Sequence, residues 1–154
     1  MQQSQLTILM AIIIGIIVLT AAAILLVKCV CRCRHYRRTG FMDEMEGHDF
    51  EYFCAQLLEK QGFIEVEVTR GSGDFGVDIL AEKDGITYAV QCKRYNGPVG
   101  VEAILRTYGG RAYYDRMVGA VMTNQYFTAP AVEAAKKLQI LLWDRGYIEQ
   151  MMEE

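Results

Sequence analysis

The stretch Phe75-Gly-Val-Asp-Ile-Leu-Ala-Glu-Lys-Asp-Gly-Ile-Thr-Tyr-Ala-Val-Gln-Cys-Lys-Arg94 decides how this chain folds. Asp84-Gly85 between two apolar-rich runs is a two-residue hairpin signal, because both central turn positions need a backbone that Asp tolerates and Gly favours. With those two residues at the turn, Lys83 faces Ile86, and counting outward sets Asp78 opposite Gln91 and Gly76 opposite Lys93. Asp78 and Gln91 are then cross-strand neighbours with Cβ atoms about 5 Å apart. The period of two sorts the hairpin into faces. Val77, Ile79, Ala81, Tyr88, Val90 and Cys92 form a surface made for burial. Gly76, Asp78, Leu80, Glu82, Thr87, Ala89, Gln91 and Lys93 form the other, where folding has no need of polar groups. A carboxylate, an amide and an ammonium grouped there could hold a metal ion and position a water. The bland alternative is an Asp78–Lys93 ion pair on a solvated hairpin.

Outward from the hairpin, the soluble part is expected to begin at Gly47. Phe50, Phe53, Cys54, Leu57 and Leu58 recur at helical spacing, so His48 to Gln61 reads as an amphipathic helix closed by Gly62. Glu51 lies beside that stripe, either as an ordinary helix-flank carboxylate or as a site residue. Phe63 to Thr69 alternates as a half-buried strand, and Arg70 to Asp74 is a Gly-rich loop. That loop lacks the Lys-Ser/Thr of a P-loop and runs into a strand, so no nucleotide cofactor is expected. Asp74 is a second acidic candidate or a turn residue.

After the break at Tyr95 to Pro98, Val101, Ile104, Leu105, Tyr108 and Ala112 predict a helix over about 100–114. Met117 to Met122 suits a central strand. Thr128 caps a third helix running to about Leu138, with Pro130 in its first turn. Ile140 to Trp143 is a last strand, and residues 146–154 follow as a short helix or tail. The order is αβββαβαβ. Two late β-α-β connections require parallel strands, while the hairpin is antiparallel. The expected fold is an α/β three-layer sandwich around a mixed central sheet.

Ahead of this domain, Leu6 to Val27 carries no charge. At about 1.5 Å per residue it reaches roughly 33 Å, enough for a hydrocarbon core of about 30 Å. A single transmembrane helix is expected over residues 1–27. A cleaved signal peptide fits less well, since no Lys or Arg precedes the apolar run and the run continues past Ala21-Ala22-Ala23. Lys28, Arg32, Arg34, Arg37 and Arg38 all follow it, so the positive-inside rule places the N-terminus outside and the domain on the cytoplasmic side of the inner (plasma) membrane. Residues 28–46 read as a juxtamembrane linker, basic and then acidic, whose basic half suits anionic lipid. Cys29, Cys31 and Cys33 are candidates for S-acylation, and five cysteines in all make no disulfide framework.

All 19 acidic residues lie after position 40, with 11 of the 16 basic ones, so residues 41–154 carry a net charge of −8. That excludes a generic polyanion-binding module, which is usually strongly basic. Nucleic acid would have to meet a local positive patch. Arg70, Arg94, Arg106, Arg111 and Arg116, with Tyr95, Tyr108, Tyr113 and Tyr114, are candidates to line it; Tyr108 is also a candidate for the helix core.

Gly47-His-Asp-Phe-Glu51, Gly73-Asp-Phe-Gly-Val-Asp78, Val90-Gln-Cys-Lys-Arg94, Tyr108-Gly-Gly and Val121-Met-Thr-Asn followed by Phe127-Thr together resemble the Mrr-type restriction endonuclease catalytic domain, a branch of the PD-(D/E)xK nuclease superfamily. The resemblance covers residues 47–145. It implies a restriction-endonuclease-like sandwich and a DNA endonuclease that leaves a 5′-phosphate. It places the acidic metal ligand on Asp78, the Q-x-K strand on Gln91 and Lys93, and the first-helix acid on Glu51. Mg²⁺ or Mn²⁺ would be held by Asp78, Gln91, Glu51 and the Cys92 main-chain carbonyl. Gln91 stands where the wider superfamily has a second acid. Two alternatives stay open: an inactive nuclease fold binding DNA or a protein at the membrane, and a structure-specific junction resolvase. Sequence specificity would come from this domain, a homodimer or a partner.

Overall fold

A computed structural model describes residues 10, 13–28, 40–69 and 75–154. Two compact units are present, residues 1–40 and Phe41–Glu154. In the first, residues 13–28 form helix α1, whose described side chains are all solvent-exposed although nearly all are apolar. Among the described residues, no helix is long and apolar enough to cross a membrane. Residues 6–9, 11 and 12 of the expected span lie outside the described residues, as do Cys29, Cys31, Cys33, Arg70 and Asp74.

The second unit runs α2 (Phe41–Glu44), α3 (Gly47–Lys60), β1 (Ile64–Val68), β2 (Ile79–Lys83), β3 (Ile86–Lys93), α4 (Val101–Tyr113), β4 (Val118–Thr123), α5 (Ala129–Leu138), β5 (Ile140–Trp143) and α6 (Arg145–Met151). The five strands lie in sequence order in one sheet. β1, β2 and β3 are antiparallel, and β3, β4 and β5 are parallel. The hairpin register is the expected one, with Lys83 opposite Ile86 and Ile79 opposite Val90. Asp84 and Gly85 both have positive φ, 53° and 76°, which is the primed turn that the strand twist favours. Thr128 Oγ1 accepts from Ala131 N at 3.3 Å and caps α5.

Each face of the sheet has its own core. On one, α3 and α6 bring Phe50, Cys54, Leu58 and Ile148 onto Ile79, Val90, Cys92, Met122 and Trp143. On the other, α4 and α5 bring Ala103, Ile104, Ala131 and Ala135 onto Val121 and Ile140. Helices on both faces make the mixed sandwich that the element order requires.

Two expectations are corrected. Residues 41–46 are not linker: they begin with α2, whose Met42 is fully buried in the first core. Of the short helix or tail expected at the end, the structure has the helix: α6 buries Ile148 and Met151. Most instructively, α4 does not bury the predicted stripe. Ala103, Ile104, Thr107 and Gly110 face the sheet, while Leu105 and Tyr108 are exposed. At 100° per residue this is about a third of a turn from the expected phase. The cause is a close seat: a Cβ on Gly110 would lie 2.5 Å from Val77 Cγ2, and one on Gly119 would lie 3.3 Å from Thr107 Cγ2 of α4. Gly110 brings helix and sheet together, and the phase that this sets turns Leu105 and Tyr108 outward.

Candidate active site

The site is built where β2 and β3 part. Pairing between them ends at Ile79 and Val90, with Asp78 N donating to Val90 O at 2.8 Å. Two residues further on, Cys92 N has no strand to meet and donates instead to Asp78 Oδ2, at 2.6 Å. Extended backbone directs N–H and C=O of one residue to the same side. The Cys92 carbonyl is therefore also directed past the start of β2.

Asp78 is 7 % exposed and Gln91 1 %. Their face of the hairpin is covered, because α4 lies over it. Gln91 Nε2 donates to Ala103 O on α4 at 3.1 Å, and its Oε1 accepts from Lys93 Nζ at 3.2 Å, in the amide orientation that satisfies both ends. Thr107, also buried, stands 3.4 Å from the same amide and donates to Ala103 O at 2.8 Å. A solvated ion pair does not describe this arrangement. A buried polar group left without partners costs about 1–3 kcal/mol, so the Gln91 contacts fix its side chain.

Glu51 reaches the region from α3. Its Oε2 lies 3.0 Å from His48 Nδ1, and the side chain is largely buried. The Cys92 thiol registers both carboxylates. Burial first, then the neighbouring Cys54, then the charges of Asp78 and Glu51 push it well above the ordinary thiol range. One buried residue between Gln91 and Lys93 thus lies within the field of both acids.

Of the expected basic residues, Arg106 alone among those described lines the cavity beside Lys93. That cavity, about 120 Å³, is completed by Tyr95, Val99, Gly100, Glu102 and Ala103. Arg106 Nε lies 3.2 Å from Glu102 Oε1. Arg94 instead turns inward, donating to Asp43 O and, at 2.9 Å, to Asn96 Oδ1. Arg111 lies over the Tyr108 ring, 5.1 Å from its centroid, on the opposite flank of α4. Five residues separate it from Arg106, about 140° of rotation. The expected single path of arginines is therefore split.

Asn124 is a residue the motif reading left without a role. It is fully buried at the end of β4, where its Oδ1 accepts from Tyr95 N at 2.9 Å and its Nδ2 donates to Tyr95 O at 3.0 Å and Asp43 Oδ1 at 2.8 Å. Thr123 Oγ1 donates to Lys93 O at 2.6 Å. Together they hold the backbone on both sides of Arg94. Their position beyond the carboxyl end of a central parallel strand is the signal that points to them, since ligand crevices form there.

Among the described residues no three His, Cys, Asp or Glu side chains form a ready metal cluster. The expected donors, Asp78, Gln91 Oε1, the Cys92 carbonyl and Glu51, are all oxygens. Such a set suits Mg²⁺ or Mn²⁺ rather than softer ions.

Comparison with known proteins bears on the fold. The fold is shared with the protein of unknown function AF1548, at 27% identity over 70% of this chain and 66% of that one, with a TM-score of 0.60. It is shared also with the MspJI restriction endonuclease, solved with a 27-mer oligonucleotide (19% identity, 77% of this chain, 30% of that chain, TM-score 0.57), and with the DNA modification-dependent restriction endonuclease AspBHI (19%, 68%, 30%, TM-score 0.53). The chain thus spans just under two thirds of the first and less than a third of the other two. No curated protein matches it. The Mrr_cat family, described as restriction endonuclease, matches residues 42–152, from α2 through α6, and the chain belongs to that family.

Proposed function

We propose that this protein is a metal-dependent DNA endonuclease held at a membrane by residues 6–27, with Asp78, Gln91, Lys93 and Glu51 as its catalytic group. The observation that carries the reading is the convergence of Asp78, Gln91 and Lys93 at the parting of β2 and β3, with Lys93 Nζ 3.2 Å from the Gln91 amide oxygen. Two fold relatives are restriction endonucleases, one of them solved with an oligonucleotide. A divalent ion held by Asp78, Gln91 Oε1, the Cys92 carbonyl and Glu51 supplies Lewis acidity and makes water a stronger acid. Lys93 places an ammonium where negative charge develops on the phosphate. Gln91 orients Lys93 and contributes a neutral oxygen, so Glu51 adds the negative charge that a second strand carboxylate would otherwise bring. Arg106, across the small cavity from Lys93, is the described cation best placed to meet the strand.

Purified full-length protein in detergent, given supercoiled plasmid and Mg²⁺, is expected to nick it. Asp78→Ala and Lys93→Ala should each lower the rate by about 10²–10³-fold, the usual scale for removing one such group. Cleavage persisting in both variants overturns the assignment. The amide at position 91 and the lack of a three-acid cluster among the described residues favour one second reading, a nuclease fold that binds DNA without cutting it. Metal-independent binding with no cleavage in the same assay selects that reading.

A further inference from the structure

Phe75 and Tyr113 stack on each other with ring centroids 3.8 Å apart and planes 23° from parallel. Yet Phe75 is 56% exposed and Tyr113 58%, and neither belongs to either core. Tyr114 braces Tyr113 edge-on, with centroids 5.0 Å apart. Folding alone gives no reason to display two aromatic rings in this way.

The pair is held in place. Phe75 has a φ of 49°, a left-handed conformation that a bulky residue adopts at a cost of about 1–3 kcal/mol and that clusters at functional sites. The following Gly76 has a φ of 78° and sits so close to α4 that an added Cβ would lie 2.8 Å from Arg106 Cβ. A Cβ on Gly110 would lie 2.6 Å from Phe75 O. Arg106, Gly110 and Tyr113 fall at i, i+4 and i+7, one line along α4. That line starts at the cavity shared with Lys93 and ends, about 10 Å away, at the stacked rings. In sequence the rings begin three residues before Asp78.

We propose that Phe75 and Tyr113 form a platform on which an unpaired nucleobase stacks, so that the nuclease engages DNA with locally unpaired nucleotides. The proposal rests on the nuclease reading of Asp78, Gln91 and Lys93. Two physical arguments support it. Bases inside a duplex hide their faces in the stack, so an exposed aromatic surface can take only a base that has left it. A domain of net charge −8 gains little from the counterion release that drives duplex binding, whereas stacking adds affinity without needing net positive charge. Arg106 lies on the same line to meet the strand's phosphates.

The test measures binding without cleavage, using the full-length protein in detergent with a chelator present. One probe is a short DNA single strand carrying 2-aminopurine, the other the same strand in a blunt duplex. Wild type should quench the single-strand probe by stacking. Phe75→Ala and Tyr113→Ala should weaken single-strand binding by about 5- to 100-fold, the range for losing one base–aromatic stack, and leave duplex binding nearly unchanged. Phe75→Tyr should keep both, as should Leu105→Ala elsewhere on the exposed surface of α4. Equal losses on both probes, or no loss on the single strand, overturn the platform. Metal-dependent plasmid nicking by wild type is scored separately, so the platform can fall while the nuclease reading stands.

Discussion

Cys92 lies between Gln91 and Lys93, and the fold controls its protonation. Its thiol is buried against Cys54 and lies in the field of Asp78 and Glu51, all of which favour the neutral form. In the unfolded chain a thiol titrates near pH 8.5. The folded chain therefore binds more protons than the unfolded one above that pH, and stability must fall as pH rises. The stabilisation from this group is complete below about pH 8.5 and declines by at most about 1.4 kcal/mol per pH unit above it. Denaturant unfolding from pH 7 to 10 should show that decline in wild type and a shallower one in Cys92→Ala. Identical slopes would show that the thiol does not contribute. At this scale Asp78, Gln91 and Lys93 were legible because an Asp-Gly turn and a period of two are local rules. Thr107 and Asn124 were not. Their burial depends on how α4 and β4 seat against β3, which no local pattern encodes.

At the scale of elements, α4 shows why a correct helix can carry a wrong face. Its apolar residues suggested a stripe through Leu105 and Tyr108, but the helix is seated with Ala103, Ile104, Thr107 and Gly110 inward and with no room for a side chain at Gly110. Gly109 and Gly110 separate these influences. A Cβ on Gly110 meets Val77 Cγ2 at 2.5 Å and Phe75 O at 2.6 Å, whereas one on Gly109 meets nothing within 4 Å. Gly110→Ala should therefore cost about 1–3 kcal/mol, the range for overpacking. It should also lower the nicking rate, because Phe75 and Val77 lead directly into Asp78. Gly109→Ala should raise stability by about 0.5–1 kcal/mol through helix propensity alone. Thermal unfolding of the two variants side by side checks the contrast, and equal melting temperatures would overturn the close-seat account.

At the scale of the whole molecule, the order αβββαβαβ and the mixed sheet followed from turn signals, periodicity and crossover geometry. The turn of helix at α2 did not, because four residues carry no period to detect. Yet α2 is tied into the fold. Met42 is fully buried, and Asp43 accepts from Asn124 Nδ2 and pairs with Arg145 at the start of α6, while its carbonyl accepts from Arg94. The domain therefore begins at about residue 41 rather than 47. A fragment of residues 41–154 should fold and appear in the soluble fraction. The full-length chain, on the proposal that residues 6–27 hold it at a membrane, should sediment with membranes and resist alkaline carbonate, whose release of it would overturn the anchor. A fragment of residues 47–154 should lose roughly 2–5 kcal/mol from the cavity left by Met42 alone, and more from Arg145 deprived of Asp43. Against a typical domain stability of 5–15 kcal/mol, that loss lowers the urea midpoint measurably. Because Asp43, Asn124 and Tyr95 form one connected set just beyond Lys93, the shorter fragment should also nick plasmid more slowly than the longer one at temperatures where both are folded. Equal midpoints for the two fragments would return residues 41–46 to the linker.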